Sequence, residues 1–245
     1  MIGNAPAAAG LSAKQKQFNE AMARYSAGRR YQLFGLGVSL ANVGLQIWLL
    51  WRLQQYSIGV WSQLFSLVTA WLTADFINGL VHMYMDNNDR YDGFAGPLIA
   101  NFHLHHKKPL YTRRNLALVY FIESGSKVWL VPCLALLAAL ELMTEMNPML
   151  LHTMVCFGIL SSLAEVSHYL CHTSTAGVPE FLGRCHILLG KRHHGVHHLQ
   201  DNRNYAFLNG LTDPMLNAIA ARWGHGYKEH TDRHYEGYVL EGESR

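Results

Sequence analysis

The 245-residue sequence predicts an all-α integral membrane protein, with four transmembrane helices and a histidine-rich cytoplasmic cap. Three observations carry the prediction: long apolar runs almost free of charge, basic residues gathered on one side of those runs, and histidines clustered at their ends. Half of the residues are hydrophobic and only 15% are charged, a balance that argues against a soluble bundle of buried helices.

Residues 1–30 read as an N-terminal cytoplasmic arm. The opening MIGNAPAAAGLSAKQKQ resembles a flexible segment and lacks the basic start and apolar core of a cleaved signal peptide. The first apolar run, Tyr31 to Trp51, holds no charged residue. The second, Ile58 to Val81, holds only Asp75. The third, Val128 to Met143, carries Glu141 near its end and is preceded by apolar residues from Leu116 to Ile122. The fourth, Met149 to Leu170, contains Glu165, His152 and His168. A helix rises about 1.5 Å per residue and needs about 20 apolar residues to cross a bilayer. The first, second and fourth runs meet that length, and the third does so if it begins a turn before Val128. The membrane domain then covers 31–217, and 218–245 form a cytoplasmic tail. Gly177, Pro179 and Gly183 are turn signals that predict short helices after the fourth run.

Charge orients the four helices. With both chain ends and the central loop on one side, nineteen of the twenty Lys and Arg residues fall there, Lys127 among them, and only Arg52 falls opposite. The positive-inside rule makes the crowded side cytoplasmic, so both termini are cytoplasmic. The net charge of +3 is thereby a topological signal and gives no reason to expect a nucleic-acid partner. Cys133, Cys156, Cys171 and Cys185 form no Cys-x-x-Cys pair and read as free thiols in a reducing compartment.

Four groups of histidines arrive at this same side. His82 and Asp86 end the second run, and His103, His105 and His106 lie in the central loop. His168 and His172 end the fourth run. His186, His193, His194, His197 and His198 follow it. His82 with Asp86, and His168 with His172, are i,i+4 pairs that share a helix face. The two pairs can form facing walls of one cavity, closed by the other clusters. Imidazole and carboxylate suit iron, zinc or copper, and the lack of thiolates disfavours a structural zinc site. Asp75 lies two turns before His82, and Glu165 three residues before His168. Each is placed to accept the free ring N–H of a ligand histidine. His103 and His193 stand beside stronger candidates. His152 reads as an interfacial residue, and His225, His230 and His234 as solvated surface.

The stretches DFINGLVH, HLHHKKP, FIESG, SHYLCH and CHILLGKRHHGVHHLQDNRNYAFLNGLTDP resemble the plasmanylethanolamine desaturase family, whose relatives include the CarF proteins, the Kua domain and the plastid palmitate desaturases. The resemblance runs from Asp75 to Asn217. Met83 stands where relatives often carry a tryptophan, His103-Leu104 where Arg-Glu is common, Glu165-Val166-Ser167 where Asn-Gln is usual, and Leu170-Cys171 where a Trp-Ser-like pair is found. The resemblance implies a membrane lipid desaturase with a non-haem diiron centre, dioxygen as co-substrate and a membrane lipid as substrate. Its ligand positions map to His82, Asp86, His105, His106, His168, His172, His186, His194, His197 and His198. It also implies an external electron donor, cytochrome b5 or ferredoxin with its reductase. No Gly-x-Gly-x-x-Gly or iron–sulfur pattern offers an internal one. Lys107, Lys108, Arg113 and Arg114 are placed to meet a lipid headgroup or an anionic redox partner. The nearest alternative is a diiron lipid hydroxylase, and an alternative of another class is a membrane metal transporter or sensor. A haem-binding electron carrier fits less well, since the histidines lie at the helix ends and are too numerous.

Overall fold

A computed structural model describes residues 12–108, 114–174 and 177–238. Residues 1–11 of the arm, Arg113 and residues 239–245 of the tail lie outside the described residues. The described residues are helical, with no strand among them. Three helices are long and apolar enough to cross a membrane: α2 (Arg29–Leu53), α3 (Val60–Asp86) and α7 (Pro148–Thr173). They form because long apolar runs with few charges can bury their side chains or turn them to lipid while the helical backbone satisfies its own hydrogen bonds. Asn147 caps the start of α7 by accepting from the Met149 and Leu150 N–H groups, and Pro148 follows at a position where its missing N–H costs nothing.

α3 packs along α7, and α2 and α6 (Leu130–Met143) flank them around a core of Leu49, Ala70, Ala74, Leu134, Leu151 and Val155. The outward faces carry exposed apolar side chains such as Leu40, Ile47, Phe65 and Leu136, as a lipid-facing surface requires. At the end remote from the histidine clusters, Arg52 pairs with the buried Glu141 at 2.6 Å, which ties α2 to α6. Trp48 and Trp51 flank that arginine.

The expected third span is interrupted. α5 (Leu116–Glu123) passes through a short 3-10 turn, Ser124–Ser126, and meets α6 at 92°, so that four spans are reached only if this bent pair crosses as one. Pro132 sits in the first turn of α6 and restricts the chain before it. The break is tied to α2 from outside: the Asn42 side-chain amide donates to both the Ser124 and Lys127 carbonyls at 3.0 Å, which also accept from the Lys127 and Leu130 N–H groups. Gly125 lets α2 approach, since a Cβ there would lie 2.8 Å from the Gly35 carbonyl oxygen. Lys127, counted above with the cytoplasmic cations, is buried at this break instead. It donates to Asn78 and pairs with Glu165 at 2.8 Å.

Two further expectations change. The arm is not loose from Ser12 onward: Ser12 and Gln15 form a capping box that starts α1 (Ala13–Ala27). Phe18, Ala21 and Met22 of α1 pack into a core with Tyr91 and with Ile99, Ala100 and Leu104 of α4 (Gly96–Lys107). The domain boundary expected at 217 falls inside α10 (Asp213–Trp223), and Tyr227, Thr231 and Asp232 beyond it are buried. The turn signals hold, with a short α8 at Gly177–Arg184, followed by α9 at Lys191–Leu199.

Candidate metal centre

Four helices deliver the histidines. α3 contributes His82 and Asp86 from its last turn, and α7 contributes His168 and His172 from its end. α4 contributes His105 and His106, and α9 contributes His194, His197 and His198. Helical periodicity does the sorting. His194 and His198, four apart on α9, turn to one group, whereas His197 turns to the other.

Two groups result. His105, His168, His172, His194 and His198 form the first, and His82, Asp86, His106 and His197 the second, with the candidate ligand atoms of each group within 4.8 Å of one another. In the first, Nε2 of His105 lies 3.0 Å from that of His172, His172 3.2 Å from His168, His168 3.0 Å from His194, and His194 3.1 Å from His198. In the second, Asp86 faces Nε2 of His82 at 3.3 Å and Nε2 of His106 and His197 at 3.4 Å. The groups adjoin: the rings of His194 and His197 are 5.3 Å apart, and those of His106 and His198 5.4 Å.

Protonation follows from the partners. Nδ1 of His82 lies 2.9 Å from the Tyr205 carbonyl, and Nδ1 of His197 lies 2.8 Å from the Arg203 carbonyl. A carbonyl only accepts, so both Nδ1 atoms carry hydrogen and donate. Nδ1 of His106 donates likewise to Asp232 at 2.8 Å. Burial, reinforced by neighbouring imidazoles, holds His105, His106, His194 and His197 well below the ordinary imidazole range, so these rings are neutral. The Nε2 atoms facing Asp86 therefore present lone pairs. Neither oxygen of this fully buried carboxylate accepts a hydrogen bond. A carboxylate ringed by three lone pairs is repulsive until a cation sits among them, and that donor set fits a metal ion. The five converging Nε2 atoms of the other group pose the same problem and admit the same solution.

The remaining expected residues lie elsewhere. His186, expected among the ligands, belongs to neither group. It sits in the turn after α8 at φ 54°, with Nδ1 3.2 Å from the Asn209 carbonyl and its ring beside His193. Asp75 does not accept from a histidine. Its oxygens are taken by the N–H groups of Leu208, Asn209, Gly210 and Thr212 and by the Thr212 hydroxyl, while His82 already donates to Tyr205. Glu165 is likewise diverted, because the buried Lys127 needs a counter-charge. His103 bonds Tyr91 and the Met85 carbonyl, with burial lowering its pKa to about 4. His193 pairs with Asp213. His152 bonds the Pro148 carbonyl at the far end of α7. Among the tail histidines, His234 bonds Tyr91, and His230 lies near Asp89.

Sequence reasoning missed the groups that orient the rings. Asp232 lay in a segment read as solvated, and the carbonyls of Tyr205 and Arg203 carry no side-chain signature. Phe207, stacked on His168 at 4.1 Å and edge-on to His82 at 5.0 Å, also went unread, although it falls in the NYAFLNG stretch that carried the resemblance. The loop that bears it is held by Asp75. Its turn at Gly210 adopts φ +86°, where a Cβ would also meet the His193 ring at 2.8 Å.

Apolar helices that end in two nitrogen-rich groups define a membrane protein with a candidate metal-binding centre. The lipid desaturase domain family matches residues 71–223, more than half of the chain, and the protein belongs to that family. The match supports a lipid desaturase-type function and hence an oxidoreductase. Neither a curated protein nor a solved structure matches the chain.

Proposed function

We propose that this protein is a membrane lipid desaturase whose two histidine groups hold two iron ions and which uses dioxygen to place a double bond in a lipid alkyl or acyl chain, of the plasmanyl-to-plasmenyl type. The observation that carries the reading is the buried Asp86 carboxylate facing the Nε2 atoms of His82, His106 and His197, inside a chain of the lipid desaturase family. Bound iron supplies the dioxygen chemistry: two hydrogens leave adjacent carbons and, with two electrons and two protons from outside, dioxygen leaves as two waters.

The protein's own residues prepare that chemistry. Tyr205, Arg203 and Asp232 fix the tautomer and direction of three ligand rings, so the Nε2 atoms are aimed before any metal arrives. Phe207 closes one side of His82 and His168 against water. A cavity of about 680 Å³, whose lining includes Phe102, Val119 and Ile122, reaches His82, His105 and His168 and gives an alkyl chain a place to lie beside the ligand rings. Four spans, with α5 and α6 crossing as one, put the histidines and both termini on the cytoplasmic side, where the basic residues gather. Lys107, Lys108 and Arg114 then face a lipid headgroup or a donor of the cytochrome b5 or ferredoxin kind.

Lipid analysis of cells with and without the protein tests the reading, with His197→Ala as the inactive control. A class of lipid that loses two hydrogens only when the intact protein is present is the expected result. Gain of an oxygen instead would make the enzyme a hydroxylase. Identical lipids in all three cells would contradict both.

A further inference from the structure

The cavity that touches the histidines has a second chamber. The inner chamber, about 680 Å³, ends on His82, His105 and His168, and its cytoplasm-side wall carries Lys108 and Arg114. The outer chamber, about 430 Å³, lies between α2 and α5 and is lined by Tyr31, Phe34, Gly35, Leu36, Phe121 and Gly125. The two share Tyr25, Ser26, Leu98, Ile122, Glu123 and Ser126, which form the waist that stands between them. Leu36 on the outer chamber is exposed, and so are Leu33 and Leu40 on the same helix, which places that chamber against the hydrocarbon of the bilayer.

From this geometry we propose that the lipid chain reaches the metal centre sideways from the bilayer, through the groove between α2 and α5, and that Leu98 and Ile122 at the waist decide which carbons come to lie beside His82, His105 and His168. The inference rests on the desaturase reading and adds the route and the residues that measure the chain. A membrane lipid drawn through an aqueous mouth would expose every methylene to water on its way, whereas this groove offers the chain apolar side chains such as Phe34, Leu36, Leu98, Phe121 and Ile122 along its length. The break between α5 and α6 borders the groove: Gly125 and Ser126 of its 3-10 turn line the outer chamber. The waist has two natures as well, apolar at Leu98 and Ile122 and polar at Ser26, Glu123 and Ser126. Such a wall suits an amphiphile better than it suits water or a plain hydrocarbon.

A phospholipid carrying a diazirine on its alkyl chain tests the route, with the full-length protein in lipid nanodiscs and a chelator present so that labelling is independent of turnover. Light-induced adducts on Leu98, Phe102 or Val119, all inside the cavity, are expected. Ile122→Trp should lower them, and product formation with iron restored, by about tenfold or more, while iron content stays that of the parent. Leu98→Phe, a smaller change, should shift the position of the double bond and guards against a variant that fails to fold. Adducts confined to outward residues such as Leu40 and Phe65, or an Ile122→Trp protein that labels and turns over as the parent does, would overturn the route. If the parent labels inside the cavity yet makes no alkene, the desaturase reading falls and the lipid path stands.

Discussion

The Asp75 carboxylate accepts four backbone N–H groups and one hydroxyl from residues 208–212, deep in the protein and beside no ligand ring. It acts on the centre through what it holds. The loop it clamps carries Phe207 against His168, and the Leu208 carbonyl accepts from Ser167, the residue preceding that histidine. Asp75→Ala leaves these donors without an acceptor in a dry interior, at a cost of about 3 kcal/mol or more. The expected outcome is a lower thermal midpoint and iron lost from the purified protein, with Asp75→Asn intermediate because it keeps one acceptor oxygen. Parental stability and iron content in Asp75→Ala would contradict this role. An acid two turns below a histidine is legible in the sequence, but its partner is not. Helical spacing tells which face Asp75 shares with His82 and is silent on a loop that arrives from more than a hundred residues away and competes for the carboxylate.

Helices add what single residues cannot. α4 presents His105 and His106 from one side, and its other side is braced by α1 through Phe18, which packs edge-on to Tyr91 at 5.4 Å. Phe18→Ala removes a fully buried ring and should cost about 3 kcal/mol, loosening α4 and with it two ligands. Limited proteolysis in detergent should then cut after Lys107 or Lys108, at the end of α4, faster than in the parent, and an unchanged cleavage rate would contradict the brace. The i,i+4 pairs on α3 and α7 and the His-x-x-His-His pattern on α9 were legible because a helix turns spacing into direction. α1 was readable in principle, since Ser12 and Gln15 form the capping box, yet few apolar residues follow to advertise a buried face. The break in the third span was unreadable for a different reason. Its apolar composition suits a straight helix, and what holds the bend is Asn42, on another helix, which donates to the Ser124 and Lys127 carbonyls.

At the scale of the whole molecule, the histidines other than His152 and nearly all the cations share one end of the helices, while the Arg52–Glu141 pair marks the other. Segregation of this kind is visible in sequence because it needs only the order of apolar runs and charges. The division of nine candidate ligands into two adjoining groups is not, because it depends on crossing angles, on α9 folding back over α7, and on a tail that returns to place Asp232 against His106. The function proposed for this protein depends on those groups being a metal centre. The most direct measurement is elemental analysis of the full-length protein purified without oxygen, compared with Asp86→Ala and His194→Ala. On the proposed function, close to two iron ions per chain are expected in the parent, with loss of iron in each variant. A parent protein without bound metal, or variants that keep the parental iron content, would contradict it.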